Sequence, residues 1–146
     1  MMKVSTALKR KNKLKIELSR LRERISRHNS VLAGNQRPYD VAQLQRELTE
    51  KTDALVDLKT SLFLANTPIQ RLIFEMSELK GLIKFYRSLD VKNGRQSPYA
   101  HYDSVPRDYE AVLTETDIDL LVADLEHRID TIQEQLDAYN ATTELP

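Results

Sequence analysis

The sequence predicts an all-α fold: long amphipathic helices forming an antiparallel coiled coil or four-helix bundle, in one helical domain of residues 1–146, with one irregular loop excursion near residues 92–115. Three observations predict it. Apolar residues recur at alternating steps of three and four along four stretches, which places them on one face of a helix. The chain is lean in apolar residues (40%) and rich in charged ones (30%); an average globular chain has roughly 45–50% and 25%. That balance suits helices burying one stripe each and argues against a fully buried sheet. Finally, there are only three glycines to break the helical runs.

The first helix is expected over 4–32. Its seam reads Val4, Ala7, Lys11, Leu14, Leu18, Leu21, Ile25, His28, Leu32, with mostly charged residues between, and it would span about 43 Å at 1.5 Å per residue. Gly34 to Pro38 then breaks it. The second helix, 40–66, starts at Asp40 as N-cap. Its seam is Val41, Leu44, Leu48, Lys51, Leu55, Leu58, Leu62, Ala65, and Val56 and Phe63 widen the apolar face near its end. A wider face implies contact with more than one neighbour. Lysines at the seam positions 11 and 51 are of the kind that set register or oligomeric state.

The third helix, 68–91, takes Pro68 as its first residue with Thr67 before it. Its seam is Ile69, Leu72, Met76, Leu79, Ile83, Tyr86, flanked by Ile73, Phe74, Leu82 and Phe85. This is the most apolar helix and is expected at the centre of the core, with Gly81 allowing close packing. Residues 92–115 show no helical period; a short strand is expected over 109–113. The fourth helix, 116–140, follows the start signal Thr114-xx-Asp117, with seam Ile118, Val122, Leu125, Ile129, Ile132, Leu136, Tyr139. Asn29, Asn66 and Asn140 each follow a seam end. They read as left-handed C-caps or, alternatively, as the echo of a duplicated unit.

Net charge is zero, but it is unevenly spread. Residues 1–39 hold eleven Lys/Arg against two acids, and residues 115–146 hold nine acids against Arg128 alone. Either the basic first helix binds an anion such as nucleic acid, or it lies beside the acidic last helix, and the near cancellation favours the second.

Several residues and motifs resemble a known family. Arg24-Ile25-Ser26-Arg27-His28-Asn29-Ser30-Val31 with Gly34 and Pro38, the ending Ile132-Gln133 and Asn140-Ala141-Thr142-Thr143-Glu144-Leu145, and, more loosely, Leu82 to Leu89 resemble the septicolysin-like family of small bacterial proteins. The resemblance covers most of the chain, although the Asn66–Pro68 connection is shorter than the family's polar loop. It implies a bacterial, helical protein whose relatives are mostly of unknown function. The family name implies a pore-forming, membrane-active protein. It carries over no catalytic residue.

Chemistry-bearing patterns are few. Without cysteine there is no disulfide framework, zinc–thiolate site or thiol nucleophile. No His-Glu-xx-His, glycine-rich phosphate loop or Ser/His/Asp spacing occurs. A buried histidine at position 28 and a solvated one at 127 are expected. Tyr99, His101, Tyr102, Arg107 and Tyr109 form the densest polar-aromatic cluster and are candidate partner contacts. Lys9, Arg10, Lys13, Arg20, Arg24 and Arg27 are candidate anion contacts. The expectation is a non-enzymatic structural or interaction protein that self-associates. It needs no cofactor, metal or small-molecule substrate, and no span or signal removes it from the cytoplasm. The alternatives are a membrane-active protein and a nucleic-acid binder acting through the first helix.

Overall fold

The computed structural model describes residues 1–96 and 105–146. It is 73% helix with one two-stranded ribbon, so the all-α class holds and the ribbon is a local addition. The helices are α1 (Val4–His28), α2 (Val41–Asn66), α3 (Gln70–Ser88) and α4 (Glu115–Thr142); the strands are β1 (Gly94–Gln96) and β2 (Arg107–Tyr109). The chain forms two compact units: Met1–Ile69 with Asp137–Pro146, and Gln70–Leu136.

In the first unit α1 and α2 pack along their seams. Val4, Ala7, Leu14, Leu18 and Leu21 are buried on α1, and Leu44, Leu58, Leu62 and Ala65 on α2. Asp40 caps α2 as expected, its Oδ1 accepting from the Gln43 amide at 3.2 Å. Where the sequence carries α1 on to Leu32, the helix stops at His28. The Arg37 guanidinium donates to the carbonyls of His28 and Asn29, 2.9 Å each, and so satisfies oxygens that another helical turn would have used. The freed chain turns through Gly34, whose φ of 87° lies in the left-handed region, and Leu32 is left 78% exposed.

The same unit is closed by Met2, Lys3 and Thr143 to Leu145, which the periodicity leaves unassigned, together with the seam residues Val4 and Tyr139. The Val4 amide donates to Thr143 O and the Leu145 amide to Met2 O, both at 2.9 Å, forming an antiparallel bridge between Lys3 and Glu144. Lys3 Nζ reaches Thr142 O at 3.1 Å and Glu144 at 3.2 Å. Tyr139 donates its hydroxyl to Ala65 O at 2.6 Å. Leu145 thereby joins the cluster of Val4, Ala7, Leu14, Leu58, Leu62 and Ala65.

Between α2 and α3, Thr67-Pro68-Ile69 forms one 3-10 turn. Pro68 therefore precedes α3 instead of opening it. It has no N–H to donate to the preceding helical turn, while Thr67 bonds back to Phe63 O at 3.3 Å through its hydroxyl. At the other end of α3 the Ser88 hydroxyl takes Phe85 O at 2.6 Å, and Asp90 turns the chain by accepting from the Lys92 amide at 3.0 Å; α3 thus ends three residues short of 91.

In the second unit α3 buries Met76, Leu79 and Ile83, while α4 buries Ile118, Val122, Leu125, Ile132 and Leu136. Ion pairs Arg87–Glu126 (2.8 Å) and Arg128–Glu75 (3.2 Å) join the two helices in the antiparallel sense. The start of α4 is a reciprocal capping box: the Asp117 amide donates to Thr114 Oγ1 at 3.3 Å, and the Thr114 amide donates back to Asp117 Oδ2 at 3.0 Å. Strands β1 and β2 pair antiparallel, Gly94 opposite Tyr109 and Gln96 opposite Arg107, so the strand lies slightly before 109–113.

Three other expectations are corrected. The helix α3 is not a core centre, since Phe74, Leu82 and Phe85 are 63%, 42% and 54% exposed. Gly81 permits no close packing: a Cβ there would meet nothing within 4 Å. The asparagines are not left-handed caps. Asn29 has φ −63°, Asn66 and Asn140 are helical, and no non-glycine residue has positive φ among the described residues.

Candidate interaction surface

Lys9, Lys13, Arg20, Arg24 and Arg27 are all exposed on α1. At 100° per residue they fall within an arc of about 60°, away from the seam, and run about 27 Å along the helix; Arg10 borders them. Some have partners. Arg27 meets Glu23 at 2.7 Å and Lys13 meets Glu17 at 3.9 Å. The Arg24 guanidinium lies 5.3 Å from the Tyr39 ring, which also packs on His28 at 5.0 Å. Lys9 and Arg20 have no ion-pair partner among the described residues.

Beside this stripe, the groove between α1 and α2 carries a cross-helix pair. Lys51 Nζ, at the interrupted seam position, meets Glu17 Oε2 at 2.8 Å and Glu47 at 3.8 Å. The hydrogen bond from Lys51 holds the Glu17 carboxyl below its ordinary pKa, and the same bond raises that of the Lys51 ammonium. The lining also includes Arg20, Leu21 and Arg24, and beyond them Arg10, Lys13 and Glu50. Lys3 with Glu144 links the basic and acidic segments, and Arg87–Glu126 and Arg128–Glu75 link α3 and α4.

The sequence signals an acidic ending but not its geometry. Asp119, Glu126, Asp130 and Glu134 are all exposed on α4 and fall within an arc of about 80° at helical spacing. Glu126 is taken by Arg87; Asp119, Asp130 and Glu134 have no ion-pair partner among the described residues.

Of the polar-aromatic cluster, Tyr99, His101 and Tyr102 lie outside the described residues. Arg107 and Tyr109 are on β2, two residues apart and so on one face of the strand. Tyr109 is half-buried with Lys92 Nζ 5.4 Å from its ring; Arg107 is exposed. Arg95 and Asp108 face each other across the ribbon at 3.8 Å.

Apolar side chains also stand outward. Val56 and Phe63 are 57% and 71% exposed on α2, and Phe74 and Phe85 stand out on α3. Each lies two residues from a buried seam residue (Leu58, Ala65, Met76, Ile83), about 200° round the helix. Near the start of α4, Leu113, Leu120 and Leu121 line a shallow depression with Asp117 and Asp124. Among the described residues no helix is long and apolar enough to cross a membrane, and no group of three His, Asp or Glu is placed to hold a metal ion. No protein-family model, curated protein or solved structure matches the chain.

Proposed function

We propose that the protein is a non-enzymatic structural or interaction protein of the cytoplasm that works through association of its helical surfaces, first of all with a second copy. The observation that carries this is a second apolar face on each of two helices: Val56 and Phe63 on α2, and separately Phe74 and Phe85 on α3, are exposed opposite seams that are already filled. Exposed aromatic residues grouped with aliphatic ones are typical of association surfaces. Covering these faces with another copy would turn paired helices into the coiled-coil or four-helix bundle that the heptad spacing favours.

The test is molar mass by light scattering on a sizing column. A multiple of 16.9 kDa is expected, reduced to one chain by Phe63→Asp with Phe74→Asp at unchanged helicity. A wild-type protein that stays monomeric at every concentration overturns the proposal. A specific turnover lost in His101→Ala, with the fold retained, overturns its non-enzymatic half. Leakage of dye from liposomes would favour the membrane-active reading that the septicolysin-like resemblance implies.

A further inference from the structure

We infer that the second copy is oriented by charge: the cationic stripe of α1 lies along the anionic stripe of α4 of the partner copy. The inference rests on self-association as the function. Its ground is complementarity of sign, length and spacing. Residues 1–39 and 115–146 carry nearly equal and opposite charge, +9 and −8, and within each unit the local ion pairs leave part of that charge unanswered. Lys9 and Arg20 on one helix, and Asp119, Asp130 and Glu134 on the other, are exposed and have no ion-pair partner among the described residues.

The spacings match. Asp119, Asp130 and Glu134 are separated by eleven and four residues; Lys9, Arg20 and Arg24 are separated by eleven and four, and Lys9, Lys13 and Arg24 by four and eleven. Three acids therefore meet three cations with the two helices running either way, at separations of about 16 and 6 Å. Glu126 remains with Arg87 in either case.

A phosphate backbone is the less suited occupant. The stripe is flanked by Glu17 and Glu23, which pair with Lys13 and Arg27. Tyr39, the aromatic ring beside it, is engaged by Arg24 and His28 and 39% exposed, a smaller platform than the successive aromatic side chains on which bases stack. Exposed charges of this kind select partner and orientation more than they add affinity, so the apolar faces supply the adhesion and the stripes the direction.

Sedimentation of the full chain tests this. The dissociation constant of the wild type is expected to rise by about tenfold or more between about 0.05 and 0.5 M salt. The triple variant Lys9→Glu/Arg20→Glu/Arg24→Glu should weaken self-association by at least as much, and so should Asp119→Lys/Asp130→Lys/Glu134→Lys. An equimolar mixture of the two triple variants should associate again, a rescue that misfolded chains do not show. If the wild type associates and both triple variants associate unchanged, the stripes are not the interface and self-association survives. A monomeric wild type removes both. If the α1 variant loses binding to a short single-stranded RNA while self-association is untouched, the stripe serves nucleic acid and the inference falls.

Discussion

The two units use the same helical code and reach different degrees of closure. In the unit of α1 and α2, eleven apolar residues are buried, and residues 143–146 fold over one end, adding Leu145 to the cluster. The unit of α3 and α4 buries eight and leaves eight large apolar residues exposed among the described residues, where the first unit leaves seven exposed beside its eleven buried. The difference is a matter of geometry. Two helices can hide one stripe each from one another, and a second stripe needs a third element. The first unit gains a third element only over the end of its seam, at Val4 and Ala65, and leaves the second stripe of α2 exposed at Val56 and Phe63; the second unit has none at Phe74 and Phe85.

The largest expected effect compares the two seams directly. Leu62→Ala should cost about 3 kcal/mol in urea unfolding, since rigid neighbours on several sides leave a cavity. Leu79→Ala should cost nearer 2 kcal/mol, because a less enclosed site collapses more readily. Equal losses would erase the distinction between the units. The second experiment isolates the returning segment. Leu145→Ala should cost about 2 kcal/mol and speed hydrogen exchange at the amides of Val4 and Leu145, with the amides of α3 unchanged; uniform acceleration would mean that the units open together. Third, Asp40→Ala should lose about 1 kcal/mol by removing the cap of α2, and Asp40→Asn should restore most of it.

The smallest effect is in pH. The carboxyl of Glu17 in one unit and that of Asp117 in the other are both held below their ordinary pKa, the first by Lys51 and the second by the Thr114 amide and then its hydroxyl. A lowered folded-state value means stability present above the unfolded pKa and lost as pH falls through the folded one. Lys51, raised by Glu17, contributes below its unfolded value and loses that contribution as pH rises through the folded one. Glu17→Gln and Asp117→Asn should therefore each flatten the acid limb of melting temperature against pH, and Glu17→Gln should also flatten the alkaline limb. An alkaline limb unchanged in Glu17→Gln would dissociate Lys51 from that pair.

The seams were legible before any coordinate, because three-and-four spacing marks the inward face whatever fills it: every buried residue of α1, α2 and α4 belongs to its expected seam. Asp40 and Thr114 were legible because a cap acts within three residues. What escaped depends on distant partners. The end of α1 at His28 is decided by Arg37, nine residues on, and the returning segment by contacts such as Lys3 with Thr142, 139 residues apart. The acidic stripe is invisible in total charge, which carries no information on the angle at which each carboxylate leaves the helix. For α3, high hydrophobicity does not make it central, because composition does not tell how many faces find a neighbour.

The bond from the Val4 amide to Thr143 O also has a consequence for synthesis. Residue 143 follows residue 4 out of the ribosome by 139 residues, a delay of roughly 7–28 s at about 5–20 residues per second. The seam between α1 and α2 is complete long before then, so the nascent hairpin waits with Val4, Ala7 and Ala65 uncovered until residues 143–145 arrive. A polypeptide stalled or truncated before residue 143 would present that apolar end to chaperones, and Thr143 to Leu145 are the residues that withdraw it.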